Sequence, residues 1–266
     1  MGPKQMKTWH RSARMPRFQW EEVPALSESF FSGLPYILIA TGVGLLGSVI
    51  SLFWEPGTLV RSAVQHFAAG AVLAAIAANV IPEVAEMGTF AGILSGFIAG
   101  GLLMIAMKWV VVRFEHGQKS GSKLPIGLAG AAAVDTLIDG AITSAGFSAN
   151  QQLGVLLVIA LALELLFLTL SVGIEFRKTR FKPWQTFAIT GGISLLFLVG
   201  AIGAGFFLAE ASEATLAIIL SFGAAALIYL IAEELLVETI EQEKSLFPTA
   251  TLFVGFLTLL ALKLLE

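Results

Sequence analysis

Three acidic side chains stand where acids are rare. Asp135 and Asp139 lie within one long apolar run of the chain, and Glu164 lies within the next. Asp135 and Asp139 are four residues apart, so on a helix they are neighbours on one face, one turn from each other. A carboxylate at the centre of a bilayer costs at least about 2.5 kcal/mol, and two side by side also repel. Such a pair calls for a shared proton or for a cation held between the groups. Thr136 and Ser144 add hydroxyl oxygens on the same run. No Lys, Arg or His occurs in the two runs that carry the acids, so charge compensation has to come from a bound ion or from protons. The bland alternative is a protonated, hydrogen-bonded structural cluster. Oxygen-only ligation suits hard ions such as magnesium, calcium or manganese, whereas zinc and copper more often recruit imidazole or thiolate.

The elements that must position these acids are membrane-spanning helices. Of the 266 residues, 56% are hydrophobic and only 13% are charged. A soluble domain carries about a quarter charged residues, so the ordinary globular class is excluded. There is no cysteine, hence no disulfide framework and no thiolate metal site. The net charge of −3 gives no reason to expect a nucleic-acid partner. Runs of roughly 20 apolar residues suffice to span a bilayer, and eight are expected at about 34–53, 62–81, 90–112, 126–148, 152–174, 185–208, 214–237 and 247–264. Residues 1–33 form a basic N-terminal tail with Lys4, Lys7, Arg11, Arg14 and Arg17. It has no apolar core of the kind a signal peptide needs. The polar stretch Phe18 to Ser32 suits an interfacial helix. Pro35 is expected to open the first span, and 34–266 then forms one transmembrane domain.

Short-loop Lys and Arg residues orient such a chain. Arg113, Lys119 and Lys123 follow span three, and Arg177, Lys178, Arg180 and Lys182 follow span five. Glu83 and Glu86 follow span two, and Glu210 and Glu213 follow span six. The two basic links are therefore expected in the cytoplasm and both termini outside, although the basic tail argues for the opposite side.

Spans two and seven repeat one another. With Phe67 set against Phe222, seven of twenty positions are identical, among them Glu83/Glu238 and Glu86/Glu241, and Asn79 faces Glu234. The preceding spans share a glycine spacing, Gly44 and Gly47 against Gly200 and Gly203. An offset of five spans reverses direction across the membrane. The expectation is an inverted repeat of spans one to three and six to eight, with four and five as a central pair. Sites in inverted-repeat transporters sit at the repeat interface near the midplane. Asp135 and Glu164 are about equally far from the turn at Ala149-Asn150, so they can face each other at one depth. Asn79, Glu83, Glu234 and Glu238 would line a way in or out for a metal; as plain chemistry they are equally the interfacial acids of two helix ends. Glu233 is expected to point elsewhere. His66 reads as an interfacial residue, and His116 as a lone loop histidine.

These residues resemble the ZIP family of divalent metal transporters. Phe67-Ala-Ala-Gly with Asn79-Val-Ile-Pro82-Glu83 is similar to that family's second helix, and Tyr229-Leu-Ile-Ala-Glu233-Glu234-Leu-Leu-Val-Glu238 to its seventh. The fourth-helix signature His-Asn-x-x-Glu-Gly is matched in spacing and glycine by Asp135-Thr136-Leu137-Ile138-Asp139-Gly140. The fifth-helix signature His-x-x-Pro-Glu-Gly is met only at its first position, Glu164, and span six has no glutamate. The resemblance implies an all-α membrane protein of eight transmembrane helices in a 3+2+3 arrangement. It also implies transport of a divalent cation (zinc, manganese, iron or similar) by alternating access. The metal site would use Asp135, Asp139 and Glu164, with Thr136 beside them, in place of the family's two-metal centre.

No enzyme activity and no resident cofactor are expected. Two aspartates on one helix do not fit an intramembrane aspartyl protease, and no His-Glu-x-x-His motif occurs. The expected partners are the divalent ion, the lipid bilayer and, in keeping with the family, a second copy in a homodimer; the expected place is the cell (plasma) membrane. The competing reading is a ZIP-like membrane protein that does not transport, a metal sensor or a scaffold.

Overall fold

The structure is a computed structural model that describes residues 28–116, 125–235 and 246–265. Every element among the described residues is helical. Eight helices are long and apolar enough to cross a bilayer, which makes the chain a multi-pass α-helical membrane protein. They are α1 Glu28–Phe53, α2 Thr58–Met87, α3 Phe90–His116, α4 Ile126–Ala149, α5 Gln151–Arg177, α6 Pro183–Leu208, α7 Glu213–Leu230 with the turn Ile231–Leu235, and α8 Leu246–Leu265. The tail before Glu28 lies outside the described residues, as does Glu238.

Several boundaries differ from the sequence reading, among them α2, which runs from Thr58 to Met87 where 62–81 is expected. α1 begins at Glu28, so Pro35 sits inside the helix and Glu28 to Ser32 continue it. His116 ends α3 instead of standing in a loop. Links are short and capped where the backbone needs partners. Asn150 Oδ1 accepts from the Gln152 N–H at 2.9 Å, starting α5 immediately after α4 ends. Ser212 Oγ accepts from the Thr215 N–H at 3.3 Å and starts α7. Each cap satisfies a donor that a helix start leaves open. At the other end of α5, Arg177 Nη1 donates to the Ser51 carbonyl at 2.8 Å and closes the last turn of α1. Arg61 of α2 and Lys178 both reach Glu175 there, at 3.7 and 2.7 Å.

α1, α4, α5 and α6 pack on one another, with α1 against α5 and α4 against α6 as the most extensive contacts. α2 pairs with α8, and α3 with α7. These pairs meet the four-helix group mainly where α2 touches α5 and α7 touches α4. Glycines set the spacing, because lipid gives helices little reason to associate and close backbone approach has to supply the attraction. A Cβ on Gly100 would run into the Phe222 carbonyl oxygen, and one on Gly255 into that of Phe67. A Cβ on Gly47 would strike the Leu166 carbonyl, and one on Gly200 that of Leu137. Gly203 meets nothing within 4 Å. The packing therefore matches Gly47 with Gly200, and the spacing that set Gly203 against Gly47 does not survive.

Both α2 and α7 contain a π-helical turn, Ile76–Val80 in the first and Ile231–Leu235 in the second. Ile76 and Ile231 are the residues that the Phe67/Phe222 alignment pairs.

Two measurements test this architecture. Gly100→Leu and Gly255→Leu should each destabilise the protein by about 1–3 kcal/mol, read by thermal unfolding in detergent. Gly101→Leu, where a Cβ meets nothing within 4 Å, should leave the transition in place. A single cysteine placed at Ala211, in the α6–α7 link, should be labelled in intact cells by an impermeant maleimide. One at Thr179, in the basic α5–α6 link, should react only after permeabilisation.

Candidate metal site

Asp135, Asp139 and Glu164 converge. One carboxylate oxygen from each lies within 4.8 Å of the other two. The side chains are 5%, 4% and 5% exposed, so solvent on neither side of the molecule reaches them freely in this conformation. The convergence follows from the tight α4–α5 turn. Helices leaving Asn150 in opposite directions bring residues of similar separation from it to one depth, and the helical repeat puts Asp135 and Asp139 on the side that meets Glu164.

The two carboxylate-bearing helices are held from behind at the same level. On α5, Thr169 Oγ1 donates to the Gly44 carbonyl of α1 at 2.9 Å, and Gly47 sits against Leu166. On α4, Gly140 lies against the Phe197 carbonyl of α6, and Gly200 lies against Leu137. Added side chains at these glycines would push α4 or α5 off its neighbour and separate the acids. Thr143 Oγ1 donates to the Asp139 carbonyl at 2.8 Å and stays within its own helix. Sequence reasoning passed over Thr169, Gly140 and Gly200 as site supports; the glycine-rich pattern of α4 was the visible signal.

Of the remaining predicted ligands, none whose side chain is described joins this cluster. Thr136 is fully buried on α4, and its Oγ1 has no hydrogen-bond partner among the described residues. It lies about 60° around the helix from Asp139 and about 100° from Asp135. Ser144 is about half a turn from Asp135 in direction and about 7.5 Å along the axis from Asp139, so it does not share their face. Asn79 is buried in the π turn of α2, and Glu83 follows it, partly exposed. Neither shares the acidic triad. Glu234 lies in the π turn of α7, and its side chain lies outside the described residues. Its neighbour Glu233 pairs with Lys108 of α3, away from the triad. His66 is buried among the helices, 4% exposed, and its Nδ1 lies 3.0 Å from the Ser62 carbonyl.

Three acids at this separation can do two things chemically. They can chelate one small cation of charge two or more through oxygen alone, or they can share protons. The donor set contains no imidazole or thiolate, which suits hard divalent ions better than soft ones. No family model matches the chain, and no curated protein matches it.

Clustered like charges make a direct prediction. Asp139→Asn should raise the unfolding midpoint of the ion-free protein at neutral pH, by on the order of 1 kcal/mol, because it removes one repelling group from a buried set. The same variant should lose most of the further stabilisation that millimolar manganese gives the unaltered chain. An unchanged midpoint together with an unchanged manganese effect would mean that the cluster holds no charge and binds no ion.

Proposed function

We propose that this chain carries a divalent metal cation across the membrane as a ZIP-like transporter, with Asp135, Asp139 and Glu164 as the transport site. The observation that carries this reading is the meeting of three buried carboxylates from two central helices within 4.8 Å. A lone buried acid can be a structural hydrogen-bonding group, but three that share one small volume favour a cation strongly.

An inverted repeat around the site supports transport over simple binding. The step of 155 residues that relates Phe67 to Phe222 also relates Gly100 to Gly255 and the turn Ile76–Val80 to Ile231–Leu235. The Gly100–Phe222 contact thereby becomes the Gly255–Phe67 contact, each running between the two halves. Thr251 Oγ1 donates to the Ala63 carbonyl where, in the mirrored position, Gly96 lies against Ile218. In the central pair, a step of 29 residues relates Leu137 to Leu166 and Gly140 to Thr169, each at an equivalent contact with α6 or α1. That step carries Asp135 onto Glu164. The two acids are counterparts on a pseudo-two-fold axis in the membrane plane, the position at which inverted-repeat transporters keep their sites.

In the proposed cycle a hydrated divalent ion reaches the triad from outside, exchanges water for carboxylate oxygen, and offsets the repulsion among the acids. The group α1, α4, α5 and α6, which pack on one another, then shifts against the pairs α2–α8 and α3–α7, and the ion leaves toward the basic cytoplasmic links. Asn79 and Glu83 at the outer end of α2 and Glu234 at the inner end of α7 guide the ion to and from the centre, and Glu238, which lies outside the described residues, is assigned to the same path from the sequence. The cell membrane is the proposed location. The second reading, a metal sensor or scaffold on the same fold, is favoured by the missing proline and glutamate of the fifth-helix signature, where Phe167 and Leu168 stand.

Purified protein in liposomes loaded with a metal-sensitive dye separates the two. The unaltered chain should accumulate manganese or another divalent ion down its gradient, and Asp139→Ala should reduce the initial rate to the level of empty liposomes. Ion binding by calorimetry without flux would favour the sensor, and normal flux by Asp139→Ala would remove the triad from the mechanism.

A further inference from the structure

The triad is closed off in this conformation, so some segment has to move for an ion to reach it. The segment Ile81–Met87 at the outer end of α2 has the physical properties of a movable one. It is short, and Val84 is its one buried residue. It packs against α7 and is followed by an extended residue, Gly88, whose backbone bends the chain into α3. A Cβ on Gly88 would lie 2.8 Å from that of Ala217.

The junction that joins this segment to the rest of α2 is weak for a stated reason. The Ile81 N–H donates to the Ile76 carbonyl, five residues back, instead of to Ala77. The next residue, Pro82, has no N–H to offer. Ala77 and Ala78 therefore lose the helical donors that ordinary spacing would give them, and the segment beyond is tied to the helix by fewer hydrogen bonds. Proline alone does not account for the geometry. α7 has a π turn at the matching position, Ile231–Leu235, and Val237 stands there where α2 has Pro82. A helix irregularity that recurs in both halves, with a local sequence cause in only one, is held by its place in the fold. Single π turns inside α-helices occur frequently at functional sites.

We propose that the π turn Ile76–Val80 is a hinge, on which Ile81–Gly88 swings away from the start of α7 to open the outer path to the carboxylates. Asn79 sits within the hinge and is buried, so hinge opening also exposes a polar side chain toward the path. The proposal rests on the triad being a station reached from outside, and it adds the element that controls access.

The chain has no cysteine, so a single Asp139→Cys reports access to the site without background. Vesicles of both orientations are treated with a small, membrane-impermeant thiosulfonate, and the rate of modification is measured from each face. Removing Ala78 takes out the extra residue of the turn, lets it close into regular helix and should slow modification from the face that carries Glu83 by at least about tenfold. The rate from the opposite face should stay the same. Misfolding would speed modification from both faces, so a one-sided fall cannot arise from lost structure. Equal rates with and without the hinge changes, or no modification from the Glu83 face at all, would overturn the proposal. A manganese-uptake measurement on the cysteine-free chain keeps the two questions apart. One-sided slowing in a protein that takes up no metal would leave the hinge standing and remove the transport reading. As a second probe, a disulfide between Gly88→Cys and Ala217→Cys should stop uptake when oxidised and release it on reduction; uptake indifferent to oxidation would count against the hinge.

Discussion

The placing of three carboxylates inside a hydrocarbon layer constrains everything else in this molecule. Each carries a solvation cost that lipid cannot meet, so the surrounding helices have to shield the group, hold it close to the others and leave room for whatever compensates the charge. The answer is backbone proximity in place of bulky packing. α4 is built from small residues along most of its length and is pressed against α6 at Gly140 and Gly200; α5 is pressed against α1 at Gly44 and Gly47, where Thr169 bridges to the Gly44 carbonyl. The depth of the triad and the depth of these contacts are the same. A cluster of acids that repel has no tendency to stay together, and these clamps are what keep it assembled.

The outer parts of the fold are less enclosed than the centre. α3 and α8 are the least buried of the spans, with 17% of their apolar windows inside the molecule, against 72% for α5. α3 meets α7 closely at Gly96 and Gly100, and α8 meets α2 at Gly70 and Gly255, where Thr251 also donates to the Ala63 carbonyl. Hydroxyl groups that the bilayer would penalise are handled locally: Thr41, Ser48 and Thr190 return their protons to carbonyls four residues back. This satisfies the group without tying one helix to the next. Ionic contacts gather instead at the basic end, where Arg61, Glu175, Lys178 and Arg177 link α2, α5 and α1.

Much of this was legible in the residues, and the failures have physical causes. Span number and order follow from apolar run length, a strong signal because a helix in lipid tolerates few charges. Asp135, Asp139 and Glu164 were visible as exceptions to that rule, and their matching depth followed from the hairpin. The glycine register was misread, because glycine spacing repeats every few residues and several alignments fit equally well; only the contacts distinguish Gly200 from Gly203. Ser144 was grouped with the acids by proximity along the chain, which ignores the 100° per residue that turns it to the far side of α4. The π turn in α2 had a marker in Pro82, whereas its counterpart in α7 had none, since packing of a whole helix end decides it. The burial of His66 among the helices had no marker in the sequence, since it depends on which neighbours pack over that face of α2.

On the proposed inverted repeat, the symmetry of the centre is incomplete, and the defect has a thermodynamic meaning. The step that carries Asp135 onto Glu164 carries Asp139 onto Leu168, which is no ligand at all. A carrier whose site was fully two-fold would hold the ion with the same free energy in its outward-open and inward-open states. Here the third carboxylate belongs to α4 alone and pulls the centre of negative charge off the axis. On the proposed reading, the ion-loaded states open to the two sides are then unequal in energy, so Asp139 biases which of them is the more populated, while the direction of net movement still follows the ion gradient.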